Sequence, residues 1–305
     1  MPAKETKYVV ISPVKDEGVH LERTLRSMIR QTVQPYRWVI VDDGSRDQTP
    51  GILAQYSKQY PWIEILSHDT NMDRGPGSAV IRAFSAGFAS IESLDFDFVV
   101  KLDADVELPP NYFEELLHRF EDDPVLGIAS GVYIEQHGDE WVLIWMPDYH
   151  TAGATKVVRA KCFRDIGGFI PERGWDTVDE IRAQTLGWKT RHFDELRFRH
   201  LKPEGAGIGR PRTDLMLGEI YYRTGGGLLF FGLKVVHRMF THKPLVINGI
   251  LMVFGYLRAL FSRRPLLVTK AERRFYRRLL NGRIKAALGR LLPWSRPARQ
   301  PWRFA

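Results

Sequence analysis

Three acidic groupings carry the spacing that chemistry needs. Asp103-Ala104-Asp105 sets two carboxylates two positions apart, directly after the mostly apolar run Phe98-Val99-Val100-Lys101-Leu102. Such a pair suits one hard divalent cation, Mg2+ or Mn2+, which takes oxygen ligands and fills its shell with water and phosphate oxygens. An ion held there neutralises charge on a departing diphosphate. Asp42-Asp43-Gly44-Ser45 follows the apolar run Trp38 to Val41. Asp-Gly-Ser is good turn chemistry, and Asp47 suits a helix cap. Two adjacent acids at the end of an apolar run exceed what a turn needs, and such a carboxylate can accept hydrogen bonds from a base or ribose. The third grouping is Trp175-Asp176-Thr177-Val178-Asp179-Glu180, in which Asp176 and Asp179 lie one helical turn apart and face nearly the same way. The plainest role for either is a helix cap.

The elements that must hold these groups alternate. Tyr8 to Pro13, Trp38 to Val41, Ile63 to Leu66 and Phe98 to Leu102 read as short buried strands. Helical spacing of apolar residues lies between them, over 19–31, 48–59 and 77–92, and again over 110–121. Strand–helix alternation of this length predicts an α/β fold with a mostly parallel central sheet flanked by helices. In such sheets ligands bind at the carboxyl ends of the strands, where both Asp42-Asp43 and Asp103/Asp105 fall. Gly127 to Ile134 and Trp141 to Trp145 read as further strands, with antiparallel pairing open. Thr177 to Leu186 reads as a helix closed by Gly187. The basic, Gly- and Pro-rich stretch Arg197 to Arg212 reads as a loop.

The last third changes character. Leu228 to Leu233 is strongly apolar, and Pro244 to Leu257 carries no charge. That second stretch covers about 21 Å as a helix, short of the roughly 30 Å hydrocarbon core. It would span only by running on past Arg258 to Phe261. Helices lying in or dipping into a membrane interface are the preferred expectation, followed by a basic helix over about 270–289. The plainer alternative is that they cover the rest of the protein. Residues 258–305 hold 14 Lys and Arg against one acid, Glu272, while the chain as a whole carries a net +8. A tail of that charge seeks a polyanion. The Arg273-Arg274 and Arg277-Arg278 pairs beside Leu279 and Leu280 suit anionic lipid better than nucleic-acid bases, so no nucleic acid is expected. The single cysteine, Cys162, excludes an intrachain disulfide and reads as buried filler. The opening MPAKETKYVV lacks a signal-peptide pattern, so the expectation is a cytoplasmic protein, peripheral at the cytoplasmic face of the membrane.

Taken in order, these segments resemble the family 2 glycosyltransferases. Val41-Asp42-Asp43-Gly44-Ser45-Arg46-Asp47-Gln48-Thr49 looks like that family's nucleotide-binding signature. Ile11-Ser12-Pro13-Val14-Lys15-Asp16-Glu17 resembles its first strand and following turn. Asn71 to Ala79 is similar, with altered residues, to its Asn- and Gly-rich segment before a helix. Leu102 to Asp105 looks like its metal triplet, and Lys161 to Phe169 resembles its segment ending in Gly-Gly-Phe. The likeness covers residues 7–200 or thereabouts.

The resemblance implies a GT-A fold over residues 1–212, a nucleotide-binding half joined to an acceptor-binding half. A C-terminal helical, partly amphipathic, membrane-associating extension over 213–305 follows. It implies a nucleotide-diphospho-sugar donor, a glycan or lipid-linked acceptor, and inversion by one direct displacement. Donor contacts then fall to Pro13, Asp16, Glu17, Asp42, Asp43, Ser45, Asp73, Arg74, Asp103 and Ala104, and Mn2+ or Mg2+ to Asp103 and Asp105. His200 is a candidate third ligand or diphosphate contact, its plain alternative a loop histidine. The displacement needs a carboxylate to accept the acceptor proton. In the family this is usually one of a Glu-Asp pair, from which Asp176-Thr177-Val178-Asp179-Glu180 departs. Counting back from Gly187-Trp188 favours Asp176 over Asp179, with Glu180 behind both. Lys202, Arg210 and Arg212 are candidate diphosphate contacts or members of a solvated loop. Trp141, Trp145 and Trp175 are candidate sugar platforms or core.

Two other classes compete. A nucleotidyltransferase shares the sheet and the acids but wants a basic Gly-rich loop after the first strand, where this chain has the acidic Pro13-Val14-Lys15-Asp16-Glu17-Gly18. The other is a non-catalytic binding protein whose basic tail holds nucleic acid or a membrane surface.

Overall fold

The computed structural model describes residues 6–68, 78–202, 209–241 and 245–291. The four apolar runs form β1 (Tyr8–Val14), β2 (Arg37–Asp42), β3 (Ile63–Ser67) and β4 (Phe98–Leu102), paired in parallel in the order β3-β2-β1-β4. Parallel neighbours need crossovers, supplied here by α1 (Leu21–Ile29), α2 (Thr49–Gln59) and α3 (Ser78–Ile91). β1, β2 and β4 are nearly continuous in apolar residues because both faces are covered, while the edge strand β3 leaves Glu64 and Ser67 exposed. Tyr8 and Val10 join a core with Leu25, Met28 and Trp38, together with Phe113 of α4 (Tyr112–Asp122). Val9 and Ile11 point into a second core with Val39, Val41, Ile81 and Phe84. That core also takes in Phe163 of α5 (Ala160–Asp165) and Trp175 of α6 (Trp175–Thr185).

Beyond β4 the sheet becomes mixed. β8 (Thr155–Arg159) runs antiparallel to β4, and β6 (Leu126–His137), β9 (Lys189–His200) and the short β5 (Val106–Glu107) follow in that order. β7 (Glu140–Leu143) closes an antiparallel hairpin on β6. A bulge positions the end of β9. Gly131 pairs with Phe193, but Val132 pairs with Arg197, so residues 194–196 bow out. A Cβ on Gly131 would lie 2.0 Å from the Leu196 carbonyl oxygen and 2.8 Å from the Tyr112 ring, so only glycine admits the bulge. Past it, the register sets His200 opposite both Glu135 and Val106.

Composition reads Arg197 to Arg212 as a loop, and the structure differs at both ends of that stretch, with residues 203–208 outside the described residues. Its start completes β9 and Arg210 opens α7 (Arg210–Arg223). In β9 the apolar Phe193, Leu196 and Phe198 are buried while Arg191, Arg197 and Arg199 take exposed positions, so the charges hid the strand. Pro211 sits in the first turn of α7, where its missing N–H costs nothing.

The chain divides into two compact units, residues 1–206 and 207–305. The second consists of α7, α8 (Leu228–Thr241), α9 (Ile247–Phe261) and α10 (Lys270–Leu291). α7 and α9 meet backbone to backbone: a Cβ on Gly255 would lie 2.0 Å from the Leu215 carbonyl oxygen. Among the described residues no helix is long and apolar enough to cross a membrane. The 15 residues of α9 extend about 22 Å.

Candidate active site

Asp103 and Asp105 leave the carboxyl end of β4. The Asp103 N–H donates to the Ala154 carbonyl oxygen at 2.8 Å, and the Leu201 N–H to that of Asp105 at 2.8 Å. These two bonds tie the triplet to the lead-in of β8 and to the end of β9. The side chains of Asp103, Asp105 and His200 converge, each offering a ligand atom within 4.8 Å of the others. His200 Nδ1 donates to Glu135 Oε1 at 3.0 Å, which leaves Nε2 turned toward Asp105 Oδ1 at 3.7 Å. A carboxylate behind a histidine in this way fixes the ring and raises its basicity. Burial disfavours the charged ring. The Glu135 hydrogen bond and the charges of Asp105 and Asp103 outweigh it and hold the His200 pKa above its ordinary value. Burial first, and the charge of Asp103 second, push the Asp105 carboxyl up to about 6. The almost buried Lys101 ammonium pairs with Asp103 Oδ1. Two carboxylates and one imidazole, held close against the cost of burial, form a donor set that fits Mn2+ and, less closely, Mg2+.

The turns after β1 and β2 are knitted together beside this cluster. Val14 pairs with Asp42, Pro13 with Val41, and the Asp43 N–H donates to the Val14 carbonyl oxygen at 2.9 Å. The Ser45 N–H donates to Asp42 Oδ1 at 2.9 Å, and the Ser45 hydroxyl accepts from the Asp16 N–H at 2.9 Å. Asp16 Oδ1 in turn accepts from the Arg46 N–H at 2.7 Å. Asp47 accepts from Gly18 and Thr49 N–H groups, the capping work its place suggested. Asp16 and Ser45 thus hold the two turns in register. Asp43 is buried with the Lys15 ammonium on its carbonyl oxygen at 2.5 Å. Ala104 is buried, its carbonyl oxygen accepting from the Thr24 hydroxyl at 2.7 Å. Lys202, a candidate diphosphate contact, lies on Glu17 Oε1 at 2.9 Å. Asp73 and Arg74 lie outside the described residues.

Helix α6 separates its two aspartates sharply. Asp176 is half-exposed in the first turn, where a carboxylate complements the helix dipole. Its Cβ lies 4.0 Å from where a Cβ on Gly153 would stand, next to the Ala154 carbonyl that holds Asp103. Asp179 is buried, its Oδ2 accepting from Lys156 Nζ at 2.8 Å. Lys156 is itself fully buried and also reaches Glu180 Oε1 at 3.5 Å and the Asp176 carbonyl oxygen at 3.1 Å. Glu180 accepts from the Thr151 N–H and hydroxyl at 2.7 and 2.8 Å and faces His150 Nδ1 at 2.9 Å. Burial pushes the Asp179 carboxyl up to about 7 against the pull of Lys156. Glu180 is held below its ordinary value because His150 and Lys156 overcome its burial. Trp175 packs on Phe169 at 4.8 Å between centroids and lies 5.5 Å and 5.0 Å from the Lys101 and Lys156 ammoniums.

The structure therefore gathers Asp103, Asp105 and His200, with Asp42, Asp43 and Pro13 at neighbouring strand ends. It does not bring Asp179 to an open surface. Glu135, Lys101, Lys156 and His150 escaped the sequence reading because each acts through another side chain and none lies in a motif. Trp175 is core, Trp141 is half-buried under the Arg199 guanidinium at 5.1 Å, and Trp145 is 74% exposed. Arg210 and Arg212 open α7 in the other unit. Cys162 is buried, and burial pushes its thiol up to about 12, as an inert filler requires.

Comparison with known proteins gives a consistent result. The model of glycosyl transferase family 2 matches residues 9–200. An undecaprenyl-phosphate 4-deoxy-4-formamido-L-arabinose transferase of Photorhabdus laumondii is 34% identical over 119 residues, 38% of this chain and 34% of that protein. An N-acetylglucosaminyl-diphospho-decaprenol L-rhamnosyltransferase of Mycobacterium tuberculosis is 28% identical over 190 residues, 59% of this chain and 57% of that protein. The matched stretches thus span from a third to under three fifths of these relatives' lengths. A mannosyltransferase of Pyrobaculum calidifontis, solved with GDP-Man and Mn2+, superposes with a TM-score of 0.54 at 16% identity. The superposition covers 94% of this chain and 82% of that one, and it shows a shared GT-A fold.

Proposed function

Since the chain belongs to glycosyl transferase family 2, and is an enzyme of that kind, we propose that it moves a sugar from a nucleoside diphosphate to a glycan or lipid-linked hydroxyl with inversion. The convergence of Asp103, Asp105 and His200 at the carboxyl end of β4 carries this reading. These three hold Mn2+ or Mg2+, which when bound neutralises charge on the departing diphosphate. Glu135 fixes the His200 ring so that Nε2 faces inward. Pro13, Asp42 and Asp43 border the nucleoside, and Asp16 and Ser45 set the turn that shapes its pocket. Asp176 accepts the acceptor's hydroxyl proton, because it is the half-exposed carboxylate in the first turn of α6. Asp179 is a positioning residue: its carboxylate is committed to the buried Lys156, which also holds the Asp176 carbonyl.

The catalytic work falls to the first unit, residues 1–206, and membrane association to the second, residues 207–305. The enzyme is then peripheral at the cytoplasmic face of an anionic membrane, with no spanning helix among the described residues. The names of two relatives, both of polyprenyl-linked substrates, support a lipid-linked acceptor. Incubation with nucleotide sugars and Mn2+ tests the reading. Transfer or slow hydrolysis is expected and should vanish in Asp105→Ala; a preparation active with metal chelated away would overturn it.

A further inference from the structure

The helices of the C-terminal unit leave a large apolar surface uncovered. In α8, Leu229, Leu233, Val236 and Phe240 are 50% to 74% exposed; in α9, Ile247, Ile250, Phe254 and Phe261 are 50% to 78% exposed. Each set follows helical spacing, so each forms one stripe. The two stripes lie side by side. The Val246 N–H donates to the Met239 carbonyl oxygen at 2.9 Å, and the Phe231 and Tyr256 ring centroids lie 4.5 Å apart with the rings tilted by 31°. Those contacts make the pair antiparallel and set Leu233 level with Phe254, Val236 with Ile250 and Phe240 with Ile247. Single exposed apolar side chains are ordinary, but a joined double stripe marks an interaction surface.

A cationic cavity of about 360 Å³ sits at the carboxyl end of α9, lined by Arg258, Ser262, Arg263, Arg264 and Glu219. No guanidinium of the three has a carboxylate partner among the described residues. Arg263 stands at φ 49°, in the left-handed position that closes a helix and that glycine fills by default. The closure itself is intact, with the Arg264 N–H on the Ala259 carbonyl oxygen at 3.0 Å. An arginine there bears strain that glycine would avoid, which points to use of its side chain. Residues 207–305 hold 20 Lys and Arg against three acids, Asp214, Glu219 and Glu272. A second copy docking on this face would set like charge on like charge, and nucleic acid offers no apolar phase. An anionic bilayer satisfies both the stripe and the cavity.

We propose that the α8–α9 hairpin inserts its double apolar stripe into the outer acyl layer of an anionic bilayer, and that Arg258, Arg263 and Arg264 grip a phospholipid headgroup phosphate. This rests on the membrane reading of the C-terminal unit and adds to it the inserting face and the headgroup site. The sole cysteine, Cys162, is buried, so the full chain carrying Phe254→Cys takes one environment-sensitive label at the stripe. Leu186→Cys, at a site 57% exposed in the catalytic unit, is the control. With phosphatidylglycerol-containing vesicles the label at 254 should shift to the blue and the label at 186 should not. Arg263→Gly keeps the helix closure, so its melting temperature should not fall, yet partition onto those vesicles should drop about fivefold. Wild-type protein that floats with no vesicle would overturn the membrane reading itself. Wild-type protein that floats while the label at 254 stays in water, or while Arg263→Gly partitions unchanged, would overturn the insertion face or the headgroup site and leave surface attraction standing.

Discussion

Replacing Asp105 by asparagine should stabilise the metal-free protein and at the same time abolish its response to metal. Burial and Asp103 raise the Asp105 carboxyl from 3.8 to about 6. Between those values the folded chain binds the proton more tightly than the unfolded chain. Metal-free stability is therefore greatest below pH 4, falls as pH rises, and has lost its full share above pH 6. A shift of about two units is worth about 3 kcal/mol at neutral pH. The amide has nearly the same shape and no charge, so it escapes that loss. In chelator at neutral pH the variant should melt several degrees above wild type, and at pH 4 the two should converge. Saturating Mn2+ should reverse the order. Wild type gains about 2.7 kcal/mol at a hundred times its dissociation constant, and the variant gains almost nothing. Calorimetry at both pH values, with chelator and with Mn2+, measures all four cases. A variant less stable than wild type in chelator at neutral pH, or stabilised equally by Mn2+, would refute the reasoning.

Three further outcomes follow from the same geometry. Asp176→Asn should lower sugar transfer about 10²–10⁴-fold while leaving nucleoside diphosphate affinity unchanged, whereas Asp179→Ala, which opens a buried gap and takes the acceptor from Lys156, should lower the melting temperature as well; rate and thermal melting together separate them. Lys156→Met strands two buried carboxylates and should cost about 3–5 kcal/mol in urea unfolding. That loss should shrink below pH 6, since Asp179 takes up its proton near 7. Glu135→Gln should weaken Mn2+ binding about 10–100-fold, read by titration of the metal, because His200 loses the carboxylate that orients it.

The parallel half of the sheet was legible because β1, β2 and β4 are buried on both faces and so read as nearly continuous apolar runs, while Glu64 interrupts β3 at the sheet edge. The acids at the ends of β2 and β4 were legible for the same reason, since a run that stops in aspartate marks a strand end. His200 was visible only as a candidate, because its position depends on a bulge in β9 that Gly131 permits, and no local pattern announces a bulge. β9 itself was obscured by arginines on its exposed face. What sets Asp179 apart from Asp176 is the ion pair of its carboxylate with Lys156, a residue 20 positions or more from either. A buried ammonium partnered across a fold leaves no trace in spacing.

Titration calorimetry of uridine, guanosine and thymidine diphosphates, each with Mn2+ and with chelator, tests the central claim most directly. The arrangement of Asp103, Asp105 and His200 predicts that one of these nucleotides binds at least about tenfold more tightly with Mn2+, and that Asp103→Asn erases the difference. Equal affinity with and without metal, or no binding of any nucleoside diphosphate, would contradict it.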